Sequence, residues 1–372
     1  MRILYDDNMP YGDIFFNELG QATAFNHRHL RAEDLNDVDA LLVRSTTKVD
    51  SALLQYATRL RYVATATAGI NHLDTHLLEQ REISWGHAGG CNATAVAEYV
   101  ISAILALSDD VEELTHKTIG IVGAGHVGSQ LAAKLEALNL TYKLYDPPLR
   151  RAGDCRHFAS FEDILQCDII SLHVPLNRDG QDKTLHMFNE AVLASLRPDQ
   201  VLINAARGEV VDNAAALRLL EKGKSLNLVL DVWENEPDIL MPLVPFTRFS
   251  TAHIAGHTLE GKAKGTFMLY QQLCRLMSRE PTQTLDKHLP VWPHHVDKLP
   301  ELSDLGLIRH LAFCMYDIRQ DSKRFRASVT GPEPFSYMRK HYPIRREFSA
   351  CRVNAGNSPE SQAIYRLGFS AA

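Results

Sequence analysis

Short apolar runs recur along the first part of the chain: Ile3-Leu4-Tyr5, Ala40-Leu41-Leu42-Val43 and Tyr62-Val63-Ala64-Thr65. Unbroken apolar runs of this length predict strands buried on both faces of a parallel sheet. Ile83-Ser84-Trp85 is a fourth candidate, and the segments between, such as Ser51–Tyr56, carry helical periodicity. This predicts a first α/β unit ending near residue 92. A long helix follows, capped by Asn92 or Thr94, with Val96, Tyr99, Val100, Ala103, Ile104 and Leu107 as its apolar stripe. A second array places strands at Thr118–Val122, Thr141–Tyr145, Ile169–His173, Val201–Asn204, Leu228–Asp231 and Phe249–Thr251. Helical patterns fit between most of them, and such alternation predicts an α/β class with a doubly wound parallel sheet. The pattern turns helical again over Leu259–Met277, and Pro281, Pro290 and Pro293 then mark a linker. Beyond it comes a third unit with basic helical stretches and a turn at Val329-Thr330-Gly331-Pro332. The domains read as 1–92 plus 257–285, 93–256, and 286–372.

A chain of 372 residues has room for two or three domains. Its 45% hydrophobic and 23% charged content is ordinary for a globular protein, and a net charge of −6 gives no ground for a nucleic-acid or membrane partner. The charge is uneven: residues 287–372 carry a net +5 and the rest −11. The six cysteines, at positions 91, 155, 167, 274, 314 and 351, form no Cys-x-x-Cys pair and no zinc spacing, so no metal site is expected. With a start that runs directly into a strand pattern and no signal peptide, this points to the cytoplasm. The longest apolar candidate, Ala93 to Leu107, is too short to span a membrane and contains Glu98.

Thr118–Val122 runs into Gly123-Ala124-Gly125-His126-Val127-Gly128, a Gly-x-Gly-x-x-Gly turn opening a helix at Ser129–Leu138. In such a turn Gly123 permits the sharp bend, Gly125 lets a pyrophosphate approach the backbone, and Gly128 lets the helix pack on the strand. The helix N-terminal amides face the phosphates. Asp146 ends the next strand, where a carboxylate accepts the ribose hydroxyls and repels a 2′-phosphate. The expected cofactor is therefore NAD, although Arg150 and Arg151 lie nearby.

Three charged residues follow later strands of the same array: Arg207 after Val201–Asn204, Glu236 after Leu228–Asp231, and His253 after Phe249–Thr251. Ligands of open α/β sheets gather at the carboxyl ends of strands. An arginine holds a carboxylate with two parallel hydrogen bonds. A histidine backed by a carboxylate can take or return a hydroxyl proton. Together they are what hydride transfer at a 2-hydroxy acid requires. Asp231, at a strand end, is placed to accept a nicotinamide amide.

These motifs resemble the D-isomer-specific 2-hydroxyacid dehydrogenases over about residues 1–285. Finer likeness lies in Asp7-Asn8-Met9-Pro10-Tyr11, Leu42–Val49, Ala64–Gly69, Gly90–Ala93, Val96–Val100 and His253–Lys262. It narrows to a branch that oxidises a four-carbon phosphorylated 2-hydroxy acid at C2, an early step toward pyridoxal 5′-phosphate. Tyr316-Asp317-Ile318-Arg319 and Arg345-Arg346-Glu347-Phe348 resemble that branch's own C-terminal dimerisation domain.

The resemblance implies a Rossmann-type cofactor domain, a flavodoxin-like substrate domain, a small α+β C-terminal domain and a homodimer. It carries Arg207, Glu236 and His253 as catalytic. The glycine turn with His126 and Val127, together with Asp146, Ala206, Asp231 and Gly256, carries over as cofactor contacts. Ser45 and Thr67 carry over as substrate contacts. His257 stands where the family usually has a tyrosine that touches substrate, and Val174 stands where it often has a threonine. Arg44 and Lys48 are candidate phosphate cations, and a tail arginine such as Arg346 is expected to reach the neighbouring subunit's site. Two chain crossings, near Cys91–Thr94 and near Gly256, predict a hinge. Two alternatives stay open: a related dehydrogenase acting on glycerate, phosphoglycerate or lactate, and a non-catalytic NAD(H)-sensing protein.

Overall fold

The computed structural model describes residues 1–291, 295–296, 304–355 and 359–372; Pro293 of the expected linker lies outside them. The chain divides into two compact units, Met1–Asn92 with Thr258–Val291, and Ala93–His257 with Trp292–Ala372.

The first unit is built on five parallel strands: β1 (Arg2–Asp6), β2 (Gln21–Phe25), β3 (Ala40–Val43), β4 (Tyr62–Thr65) and β5 (Ser84–His87). Their order, β2-β1-β3-β4-β5, is the flavodoxin-like one. The apolar runs read from the sequence form the three central strands, and β3 and β4 are buried at every position. One face of the sheet packs against the helix Leu259–Leu276 through Leu269, Tyr270, Leu273 and Cys274. Thr258 caps that helix by accepting the Gly261 amide at 3.0 Å. Gly265 brings it against β4, because a Cβ there would lie 2.6 Å from the Ala66 carbonyl oxygen. β2 is a strand the apolar pattern does not announce. It is an edge strand, and of its five residues only Phe25 is buried.

The second unit carries six parallel strands: β6 (Thr118–Val122), β7 (Thr141–Tyr145), β8 (Ile169–Leu172), β9 (Val201–Asn204), β10 (Asn227–Leu230) and β11 (Phe249–Ser250). The order is β11-β10-β9-β8-β6-β7. The chain leaves β6 toward β7 on one side and resumes with β8 on the other, so the switch point lies between β6 and β8. That is where open α/β sheets bind ligands. The helix Ala93–Leu105 is buried along nearly its whole length, well beyond a single stripe. Its neighbours are the helices His126–Ala137, Asp304–Met315 and Ile318–Ser328.

The last two of those helices belong to the tail, so the boundary read at residue 286 does not separate a free-standing third body. The tail adds a small parallel sheet, β12 (His295–Val296), β13 (Arg352–Val353) and β14 (Ser370–Ala371). Its apolar residues Leu311, Ile318, Phe348 and Leu367 enter the same core as Ile119, Leu131 and Val229 of the sheet layer. Phe325 stacks on Trp233 with centroids 5.6 Å apart. Among the described residues no helix is long and apolar enough to cross a membrane.

Candidate active site

The glycine turn leaves β6 at the switch point. Gly123 has φ +93, and a Cβ there would lie 2.7 Å from the His173 carbonyl carbon and oxygen. A Cβ on Gly128 would lie 2.0 Å from the Gly123 carbonyl oxygen. Gly125 is different: its Cβ would meet nothing within 4 Å, so the missing side chain leaves open space above the first turn of the helix His126–Ala137. Two glycines thus serve packing and one serves approach of a ligand. Asp146 ends β7 beside this turn. Its Oδ2 accepts the Ala124 amide at 2.9 Å, and its Oδ1 caps the next helix through the Leu149 amide at 3.0 Å. Arg156, which the sequence did not single out, buttresses the turn by donating to the Ala124 carbonyl (3.0 Å) and Ser129 Oγ (2.8 Å).

An imidazole–carboxylate pair forms beyond the ends of β10 and β11. His253 Nδ1 and Glu236 Oε2 are 2.7 Å apart, and Glu236 Oε1 accepts the Trp233 amide at 2.9 Å. Burial pushes the Glu236 carboxyl up, but the charge and hydrogen bond of His253, then Arg339, hold it below the usual carboxylate range. His253 sits in the left-handed region, with φ 55. The fold holds it there by its neighbours. The His253 amide donates to the Asp231 carbonyl at 2.7 Å, and the Ile254 and Ala255 amides donate to the Asp231 carboxylate at 2.8 and 3.0 Å. Thr251 Oγ1 donates to the same carboxylate at 2.7 Å. Asp231 is 1% exposed, so the residue read as a cofactor contact is first of all the clamp on the histidine loop.

Arg207 follows β9 by way of a shaped bend. Asn204 Nδ2 donates to the Arg207 carbonyl at 2.9 Å, and Asn204 Oδ1 accepts the Ala206 amide at 3.1 Å. The Arg207 guanidinium donates to the Ala206 carbonyl at 2.7 Å. Burial lowers its pKa, while Glu236 and Glu209 favour its charge. Gly208 is required by close approach, since a Cβ would lie 1.9 Å from the carbonyl of Trp233. That contact fixes the Arg207 bend against the segment leading to Glu236. Gly208 follows Arg207 directly and Asn204 stands three residues before it, a signal in the sequence that the motif reading gave no role.

Gly256 ends the histidine loop, and the ring of His257 lies edge-on to Tyr342 of the tail at 6.1 Å. A cavity of about 610 Å³ in this unit is lined by Ala252 and Ile254, the neighbours of His253, and by Tyr337, Met338 and Tyr342 of the tail. Arg346 is 5% exposed, buried within its own chain. The tail arginine beside the acid–base pair is Arg339, with Nη1 3.9 Å from Glu236 Oε2. His186, Asp212 and Glu234 also gather ligand atoms within 4.8 Å of one another. There Asp212 caps the helix Asn213–Glu221 and Glu234 accepts the Asn213 amide, roles that the fold itself requires.

In the first unit, Arg44 and Ser45 follow β3, and Thr67 lies just past β4. Ser45 is exposed. Thr67 Oγ1 donates to the Gly69 carbonyl at 2.9 Å and lies 2.8 Å from Thr65 Oγ1. Lys48 is paired with Asp50 at 3.1 Å.

Residues 104–257 match the model of the D-isomer specific 2-hydroxyacid dehydrogenase NAD-binding domain, and residues 293–368 match a domain of unknown function. Erythronate-4-phosphate dehydrogenase of Pseudoalteromonas atlantica is 52% identical over the full length of both chains. The enzyme of the same name from Tolumonas auensis is 43% identical over 100% of this chain and 99% of its own. The chain belongs to the erythronate-4-phosphate dehydrogenases. They are a branch of the NAD-dependent D-isomer-specific 2-hydroxyacid dehydrogenase family.

Solved structures share the fold at lower identity. D-lactate dehydrogenase from Aquifex aeolicus, complexed with NAD and lactic acid, has a TM-score of 0.60 at 23% identity, over 75% of this chain and 96% of its own. NAD-bound 3-phosphoglycerate dehydrogenase of Entamoeba histolytica has a TM-score of 0.63 at 22% identity, over 75% and 95%. The family's cofactor fits the residues present. The space over Gly125 and the free amides of the following helix suit a pyrophosphate, and the Asp146 carboxylate at the end of β7 suits ribose hydroxyls.

Proposed function

We propose that this chain oxidises 4-phospho-D-erythronate at C2 to 3-hydroxy-2-oxo-4-phosphooxybutanoate, on the route to pyridoxal 5′-phosphate. The observation that carries the mechanism is the 2.7 Å contact of His253 Nδ1 with Glu236 Oε2, in the same compact unit as Arg207 and the glycine turn. Full-length identity to enzymes of that name supports the choice of substrate.

Bound NAD supplies the hydride acceptor. Gly123, Gly125, His126, Val127, Gly128, Asp146, Ala206, Asp231 and Gly256 are assigned to holding it. Asp231 Oδ2 accepts one amide from the chain, so a second lone pair can accept the nicotinamide amide. Arg207 binds the substrate carboxylate and orients C2. Glu236 fixes the histidine tautomer with the proton on Nδ1, which leaves Nε2 to take the C2 hydroxyl proton. Arg44, Ser45, Thr67 and His257 are assigned to the phosphorylated substrate. The chain works in the cytoplasm as a homodimer through residues 286–372. Exposed tail residues such as Tyr337 (66%) and Ile344 (72%) favour self-association there.

The test is NADH formation on mixing the protein with NAD and 4-phospho-D-erythronate, against D-glycerate, D-lactate and 3-phosphoglycerate at equal concentration. Selective turnover of the four-carbon phosphorylated acid is expected. Turnover of one of the others alone would overturn the substrate, and no turnover of any would overturn the catalytic reading.

A further inference from the structure

The helix Pro332–Lys340 is anchored by Phe335, which is 1% exposed and lies edge-on to Phe325 at 6.1 Å. Arg339 is four residues further on, hence on the same helical face. That face delivers its guanidinium to the acid–base pair, with Nη1 3.9 Å from Glu236 Oε2. At this separation the contact is between charges and is no hydrogen bond. Glu236 Oε2 is also the atom that meets His253 Nδ1. The charged groups around the carboxylate are therefore His253, Arg339 and Arg207; the charge of Arg207 is in turn favoured by Glu236 and Glu209 and opposed by Arg339.

A carboxylate alone behind a histidine has a cost for alcohol oxidation. It stabilises the imidazolium, and a protonated imidazole cannot take the substrate proton. A cation on the same carboxylate oxygen weakens that stabilisation. We propose that Arg339 is a positioning residue for the reaction: it offsets the Glu236 charge so that His253 stands ready as a base, while Glu236 still fixes the ring. The inference rests on the reading of His253 as the proton acceptor. It also gives the tail a part in the chemistry of its own chain, separate from any part in association.

The experiment compares kcat/KM for oxidation across pH in the parent, Arg339→Gln and Arg339→Lys. With Gln, the acid limb moves to higher pH by roughly half a unit to one unit. On that limb kcat/KM then falls about three- to ten-fold, while the alkaline plateau stays within about twofold. Lys keeps the charge and returns the limb toward the parent position. The side chain is 34% exposed, so added salt moves the parent limb toward that of Gln.

An unmoved limb in Arg339→Gln overturns the proposal. So does an equal loss at every pH in both variants, which marks a structural role. A raised KM with no displacement also overturns it, since that marks a direct substrate contact. Ring resonances of His253, titrated without substrate in parent and Arg339→Gln, give a second readout. They test the charge offset even if the parent fails to oxidise 4-phospho-D-erythronate, which would sink the substrate reading instead. Coincident titrations in the two proteins overturn the offset.

Discussion

At the scale of single residues, His253 combines a reactive ring with a costly backbone. A left-handed conformation is uncommon outside glycine, and asparagine and histidine tolerate it best among the rest. The clamp from Asp231 makes it affordable by satisfying three consecutive amides at once. His253→Asn therefore keeps the backbone while removing the base. We expect kcat to fall by about 10²–10⁴-fold, the usual share of general acid–base catalysis. NADH binding, followed by fluorescence titration, should stay near the parent value. Retention of full turnover would remove the role assigned to the imidazole. The approach of His253 to Glu236 was legible in the sequence because both lie beyond strand-forming apolar runs of one sheet. Arg339 was not, because its position depends on how a distant helix packs, and a lone arginine in a basic tail carries no local signal.

Among the elements, the buried parallel strands were the easiest to read, since apolar runs such as Ile169–Leu172 have one physical use. β2 escaped because an exposed edge strand alternates too weakly to stand out. The ends of strands matter more than their middles here. β8 stops at Leu172, so His173 turns into the switch point, with its Nε2 2.9 Å from buried Ser171 Oγ. Burial pushes this imidazole down to about 3 from an ordinary 6.5, so it is neutral in the fold. Below the ordinary value the unfolded chain gains a proton that the folded chain refuses. The stability present above pH 6.5 is then lost as pH falls toward 3, by at most about 1.4 kcal/mol per unit for this one group. Urea unfolding of the second unit at pH 6.5 and pH 5 checks it. The parent should lose about 2 kcal/mol more than His173→Gln over that interval. Equal losses in the two proteins would show that the histidine is charged, or exposed, in the native state.

For the molecule as a whole, the decisive feature is how the basic tail is used. The sequence separates it by prolines and by charge, which suggests an independent module. The structure instead buries two of its arginines, Arg345 and Arg346, and seats the tail over a charge pair of the second unit. Lys134 and Glu98, about 95% buried, pair at 3.1 Å beneath the tail. Lys134 donates to the Leu367 carbonyl at 2.6 Å, and Glu98 accepts the Phe348 amide at 3.0 Å. Arg345 donates to the carbonyls of Ala95 and Ala255, the latter two residues past His253. Removing residues 292–372 would strip Phe348 and Leu367 from the core and expose a charge pair to a half-open interior. Burying one large apolar side chain contributes roughly 1.5–3 kcal/mol, and Leu311 and Ile318 leave that core with Phe348 and Leu367. Their combined loss approaches the whole stability of an ordinary domain. A chain ending at Val291 should therefore be insoluble or lack a cooperative thermal transition in its second unit, with NADH binding lost. If the shortened chain is instead soluble, melts cooperatively and binds NADH like the parent, the tail is a dispensable association module. Sedimentation of the full chain and of the shortened one then separates the two roles, because only an association module changes the mass of the particle while leaving the cofactor site intact.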